Sequence, residues 1–243
     1  MKIVDAHVHL YEYEKTELRR WPKDKYILLA VSDDISSSYK TIHLSLLYEH
    51  IIPAVGIHPW EVHKHSKEDL EKIKKLVEKY EISVLGEIGL DKKFVPETFD
   101  KQLEFFKYFL ELAKEYDLAL NLHAPDAWRD VFDLLLKYDI KKAYFHWYTG
   151  PLDLLEEIQE KGYFIGINPA IRIQKKHQEV LKKADLKNIL TESDGPYDYR
   201  GLKLSPSLIE LTLEYISKVK SVPIDKLKKI IQKNLARFLY GSD

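Results

Sequence analysis

The chain has 243 residues, 45% of them hydrophobic and 12% aromatic, with 38 basic and 39 acidic side chains and a formal net charge of −1. That length fits one α/β barrel of about 250 residues, and the balanced charge excludes a nucleic-acid binder that works through a strong basic excess. Cysteine is absent, which excludes disulfides, thiolate chemistry and thiolate-held zinc, so a metal site must draw on His, Asp and Glu.

Lysine and glutamate are abundant while Asn, Gln and Met are scarce, the pattern of a protein from a hot environment. No charged leader precedes the first strand-like run, and no run of about 18 apolar residues occurs. The expectation is a cytoplasmic protein without a membrane partner.

The first apolar run, Ile3–His9, predicts a strand, and it carries Asp5, His7 and His9 in "IVDAHVHL". Polar groups in a buried strand cost roughly 2 kcal/mol or more each unless something satisfies them, so partners for these imidazoles are expected elsewhere. A first helix is placed around 12–21 and a strand at Tyr26–Ser32. "SDDISSSYK" reads as a loop or as the start of a helix over 36–50. Strand Ile51–His58 ends in "GIHPW". "SKEDLEKIKKLVEKY" predicts a helix over 66–80, with Ser66 as its cap and Leu70, Ile73, Leu76 and Val77 on one face.

Strand Ser83–Gly89 lies in "VLGEIGLD", and the longest helix, 96–117, follows it. Strands Ala119–His123, Ala143–Trp147, Phe164–Asn168 and Ile189–Glu192 then alternate with helices near 126–138, 151–161 and 174–184. Two more helices, 205–219 and 224–239, close the chain. Strands this rich in Ile, Val and Leu, with little alternation, suit burial on both faces. Eight strands alternating with about eight helices predict a (β/α)8 TIM barrel, with an open doubly wound sheet as the alternative. No linker or low-complexity segment divides residues 1–243, which read as one domain.

In such a barrel every strand points its C-terminal end to one face, where active sites are assembled from several strands. His7 and His9 end strand one, Glu87 strand four, His123 strand five and His146 strand six, and Asp194 follows strand eight. Residues i and i+2 of a strand face one side, so His7 and His9 address a single centre. Imidazoles and carboxylates suit Zn, Mn or Fe, and four His with two carboxylates are enough for two divalent ions. Glu87, with two oxygens, is the natural bridge. His7, His9 and Asp194 complete one site, and His123 and His146 the other. Two such ions about 3.5–4 Å apart hold a bridging hydroxide and clamp attacking and leaving oxygens. Asp194 is placed to take the proton of the attacking water and pass it to the leaving group.

The ordered set "DAHVHL", "VGIHPW", "GEIGLD", "HAP", "HWYTG", "ESDGPY" and "NLARFLY" resembles the successive motifs of the TatD family of metal-dependent hydrolases, within the amidohydrolase-like barrels. The resemblance spans nearly the whole chain. It implies a metal-dependent phosphoesterase, often a deoxyribonuclease, with two Zn, Mg or Mn ions on the residues named above and with DNA or a small phosphodiester as partner. Oligomeric state is left open.

Three motifs depart from the family pattern. "HAPDAW" has Pro125 where an arginine is usual, with Arg129 farther on; "HWYTG" replaces "HCFSG"; and "KKF" follows "GLD" in place of aromatic residues and an arginine. These changes touch the expected phosphate contacts, leaving Lys92, Lys93, Arg129, Arg172 and Arg200 as candidates. An amidohydrolase or lactonase on a small carbonyl substrate is the enzymatic alternative, and a non-catalytic metal-binding barrel the other. His58 reads as pocket-lining or turn-forming, without a ligand role. Glu192, Asp5 and Asp91 read as partners that orient ligands or as interior polar groups. Trp147 and Tyr148 are expected to stack on bases, and Trp60 and Trp128 to stack or to cap the barrel. His43, His50, His63, His65 and His177 read as surface residues.

Overall fold

The computed structural model describes residues 1–241; the last two positions of the expected 1–243 domain lie outside the described residues. Eight strands form one parallel sheet in sequential order, β1 through β8. They are β1 (Ile3–Val8), β2 (Tyr26–Ala30), β3 (Ile51–Val55), β4 (Val84–Gly89), β5 (Ala119–His123), β6 (Ala143–Phe145), β7 (Phe164–Ile167) and β8 (Ile189–Thr191). Around them run α1 (Ile35–Leu47), α2 (Lys67–Tyr80), α3 (Phe99–Tyr116), α4 (Trp128–Lys137), α5 (Leu152–Glu160), α6 (Lys175–Lys183), α7 (Ile209–Lys220) and α8 (Ile224–Tyr240). The architecture is the expected (β/α)8 barrel.

The ring closes between β1 and β8 through individual contacts. The Thr191 hydroxyl donates to the Val4 carbonyl (2.6 Å), and the Ser193 amide donates to the Asp5 carboxylate (2.8 Å). At the rim the Asp194 amide donates to the His7 carbonyl and the His9 amide to the Gly195 carbonyl, both at 2.9 Å. Asp5 is therefore a staple of the seam. Burial pushes its carboxyl up to about 7.

Most strands stop one to three residues short of their expected ends. His9, Ser32, His58, Trp147, Asn168 and Glu192 lie just past the ladders. Of these, His9 and His58 face the mouth, while the Ser32 hydroxyl donates to the Ala54 carbonyl in the interior. Two register shifts fall beside site residues, between Asp5 and Val8 on β1 and between Leu85 and Ile88 on β4, as bulges that re-aim side chains do.

The expected helix over 12–21 is replaced by two short 3-10 turns, Leu10–Glu12 and Leu18–Arg20. Leu10, Leu18 and Trp21 reach the core, but their spacing gives no helical stripe, and Pro22 disfavours helix at the residue before it. The uncertain "SDDISSSYK" is a helix start. Asp34 accepts the Ser37 amide at 2.7 Å while the Ser37 hydroxyl accepts the Asp34 amide at 2.9 Å, a reciprocal cap that fixes the first turn of α1. Phe105, Phe106 and Phe109 of α3 are core residues. No helix among the described residues is long and apolar enough to cross a membrane.

Candidate metal centre

The Glu87 carboxylate sits at the middle of the mouth and divides it. Its Oε2 lies 3.3 Å from His7 Nε2 and 3.5 Å from His9 Nε2. Its Oε1 lies 2.7 Å from His123 Nδ1, 3.0 Å from His146 Nε2 and 3.2 Å from His58 Nε2. Asp194 Oδ1 is 3.4 Å from both His7 and His9 Nε2. The six residues singled out in the sequence thus converge, with one oxygen of Glu87 facing each cluster. His58 joins the second cluster, a position its motif alone did not reveal.

Three of the imidazoles are also held from behind. The Asn121 carboxamide oxygen takes His7 Nδ1 at 2.8 Å. Asp33 Oδ1 is 3.2 Å from His9 Nδ1, and the Tyr11 hydroxyl donates to the other Asp33 oxygen at 2.6 Å. Asp91 Oδ2 takes His123 Nε2 at 2.8 Å and the Trp60 indole N–H at 2.6 Å. Such partners fix ring orientation and raise ligand basicity. Asn121 and Asp33 carried no sequence signal: one points inward from mid-strand, the other stands in a loop. Asp91 lies where the sequence suggested an orienting partner.

The electrostatics favour added positive charge. Burial pulls the His7 and His9 imidazoles down, yet carboxylates outweigh it and hold both well above the usual range: Glu87 and Asp194 for His7, Asp33, Asp194 and Glu87 for His9. Burial pushes Glu87 and Asp194 up, but the surrounding imidazoles hold both well below it. His146 goes the other way, pulled down to about 4 by burial and by neighbouring His7. An array that keeps protons on crowded imidazoles attracts cations, and its nitrogen and oxygen donors suit divalent ions such as zinc. Donor atoms of His7, His9 and Asp194, and separately of His58, Glu87 and His123, lie within 4.8 Å of one another. The residues fit a divalent-metal centre.

Glu192 is fully buried beneath the centre. It accepts the Tyr144 hydroxyl and the Trp147 amide (2.8 Å), and burial pushes its carboxyl up to about 8. It stands 3.9 Å from His146 Nδ1, so its clearest work is to anchor the loop after β6. Gly166 makes room for it, since a Cβ there would lie 2.3 Å from Glu192 Oε2.

A cavity of about 610 Å³ opens above the centre, lined among others by Trp60, Lys93, Phe94, Trp147, Tyr199 and Arg200. Of the five candidate phosphate contacts only Lys93 and Arg200 line it. Arg129 is turned away, its guanidinium forked on Glu157 at 2.6 and 3.0 Å, because its place on the first turn of α4 faces α5. Lys92 pairs with Asp130, and Arg172 is exposed outside the lining. Tyr148 is buried, its hydroxyl donating to the Pro151 carbonyl at 2.6 Å, and offers no face for stacking.

Two histidines expected at the surface are buried. His50 meets the Trp21 carbonyl at 2.9 Å. His177 Nδ1 lies 3.2 Å from the Tyr148 carbonyl, and its Nε2 accepts the Asn168 amide at 3.2 Å. One neutral ring thus ties the loops after β6 and β7 to α6, and burial pulls it down to about 4.

A barrel with this donor set at its C-terminal rim is built as a metal-dependent hydrolase. Sequence comparison agrees: the family model described as TatD related DNase matches residues 4–240, and the chain belongs to that family. It is 32% identical over 248 residues to an uncharacterized metal-dependent hydrolase of Methanocaldococcus jannaschii, covering 98% of this chain and 97% of that one. It is 26% identical to the human deoxyribonuclease TATDN3, covering 96% of this chain and 92% of that one. Among solved structures, the TatD homolog YjjV of Escherichia coli shares the fold with a TM-score of 0.88 at 22% identity, over 98% of this chain and 97% of that one.

Proposed function

We propose that the chain is a single-domain phosphodiesterase using two divalent ions, with DNA, at strand ends or in single-stranded form, as its substrate. The observation that carries this reading is the division of Glu87: one oxygen toward His7, His9 and Asp194, the other toward His123, His146 and His58. His7, His9 and Asp194 with Glu87 Oε2 would hold one ion. His123 and His146 with Glu87 Oε1 would hold the second, with His58 beside them. When bound, Zn, Mg or Mn supplies Lewis acidity and an activated water at neutral pH.

The protein's own groups do the rest. Asp194 takes the proton of the attacking water and returns it to the leaving oxygen. Its carboxylate is kept ionised by His7 and His9 and stands at the rim, within reach of a substrate in the cavity. Asn121, Asp33 and Asp91 hold the rings in register. The cavity is a pit, which accommodates a strand end or a flipped segment and not a continuous duplex. The likeness to the human deoxyribonuclease TATDN3 supports the nuclease reading.

A second reading, hydrolysis of a small lactone or amide, is favoured by one feature. Among the described residues, Lys93 and Arg200 are the lysine and arginine of the cavity lining, against rim carboxylates at Glu12, Glu61 and Asp126. Single-stranded DNA, a nitrophenyl phosphodiester and a lactone, each assayed with Mg, Mn and Zn, separate the two. Asp194→Asn should remove turnover by about 10²–10⁴-fold, the usual contribution of a proton-transfer group, while most of the metal stays bound. Full activity in that variant would refute the proton-transfer role.

A further inference from the structure

The cavity carries two aromatic walls that the hydrolytic chemistry does not use. One stands on the loops after β3 and β4. Trp60 and Phe94 meet there with ring centroids 5.6 Å apart at 69°. The other stands on the loop after β6 and on a hairpin after β8, formed by β9 (Asp198–Tyr199) and β10 (Leu202–Lys203). Trp147 there meets Tyr199 at 5.1 Å and Tyr197 at 6.0 Å. Because the strands follow one another in order around the ring, the loops after β3 and β4 face those after β7 and β8 across the mouth. The Glu87 centre lies between.

Both walls are braced from behind and left open in front. The Trp60 indole N–H is spent on Asp91 (2.6 Å) and that of Trp147 on Gln174 (2.7 Å), which fixes each ring plane. Trp147 sits at φ 43°, a conformation rare for a bulky residue, and such backbone strain clusters where a side chain is being aimed. Yet Trp60 is 38% exposed, Tyr197 49% and Phe94 55%. Large rings held rigid and left wet around one cavity are the mark of a ligand with flat apolar faces. Each wall also carries a cation: Lys93 Nζ is 5.0 Å from the Phe94 ring, and the Arg200 guanidinium 5.3 Å from that of Tyr199.

We propose that each wall stacks one nucleobase, so that the bond cleaved lies between two bases and the cavity is a dinucleotide clamp. This rests on the phosphodiesterase reading and sharpens it: recognition comes from a ring on either side of the linkage, not from a basic track along many phosphates. Lys93 and Arg200 are two cations against the rim carboxylates Glu12, Glu61 and Asp126, too few for such a track.

The test uses Mn-loaded protein and three esters: the dinucleotide dTpdT, thymidine 5′-(methyl phosphate) and thymidine 3′-(methyl phosphate). Wild type should prefer dTpdT over either one-base ester by about 5- to 100-fold in kcat/KM, the range for one stacked base, mostly through KM. Phe94→Ala should lower dTpdT and one of the one-base esters by that factor and spare the other. Tyr199→Ala should show the opposite pattern. Neither ring touches the candidate metal ligands. Equal effects of both variants on both one-base esters, or no effect of either, would overturn the clamp while leaving the hydrolase in place.

Should wild type cleave no diester with any of the three metals, the phosphodiesterase reading fails by itself. Quenching of tryptophan fluorescence by dTpdT then decides the clamp. Quenching that is about 5-fold or more weaker in each variant upholds it, and quenching that is absent or unchanged overturns it.

Discussion

The two halves of the centre are built by different means. One joins the ends of the chain's sheet: His7 and His9 come from β1 and Asp194 from the turn after β8, and the seam between those strands is held by Thr191, Asp5 and rim amides. The other draws on neighbouring strands, with His58 after β3, His123 at the end of β5 and His146 after β6, where parallel ladders join β3 through β6. Their supports differ too. Neutral Asn121 backs His7, whereas ionised Asp91, lowered to about 2 against its own burial by His123 and other donors, backs His123. A charged partner makes a ring the stronger electron donor. Asp33 also stands behind His9 in the first half, but at 3.2 Å against the 2.8 Å of Asp91 on His123, so the second half should be the tighter site and the first the more exchangeable.

The sharpest way to break that comparison is to remove what both halves share. Glu87→Gln should abolish turnover by about 10³-fold or more and lower bound metal from about two ions to below one, read by atomic emission. Next in size, His7→Ala and His123→Ala should each leave about one ion. If the halves differ as argued, the ion surviving in His7→Ala is retained under dialysis that strips the one surviving in His123→Ala. Asp91→Asn should weaken metal affinity by about 10- to 100-fold, and Asn121→Ala by less; the reverse order, measured by competitive chelator titration, would invert the comparison.

The smallest effect concerns stability, and it belongs to the second half. His177 holds the loop after β6 as a neutral ring, its value pulled from 6.5 down to about 4 by burial. The unfolded chain therefore binds a proton there before the folded one does. Folding stability from this group is full above pH 6.5 and is lost as pH falls toward 4, by on the order of 3 kcal/mol. Metal-free His177→Gln should show a flatter decline than wild type in thermal unfolding across that window.

The strands and the six converging residues were readable from sequence because parallel-barrel geometry sends every strand end to one rim. What escaped was whatever depends on neighbours. Asn121 is an ordinary mid-strand residue until the β1 and β5 positions bring it under His7. His177 looks like any polar helical residue until α6 packs it against two loops. The strand ends themselves were overextended, because the apolar runs continue past the point where the backbone leaves its ladder. Arg129 shows the converse: proximity in sequence to His123 says nothing of direction once α4 turns it toward Glu157.

The stapled seam between the first and last strands has a consequence for the whole barrel. His7 and Asp194 stand on opposite sides of that seam, joined by an amide-to-carbonyl bond of 2.9 Å. An ion shared by their side chains would act as a clasp, shutting the ring where its own ladder is thinnest. Occupancy and closure would then be coupled by mass action, and an emptied protein would come apart first between its earliest and latest strands.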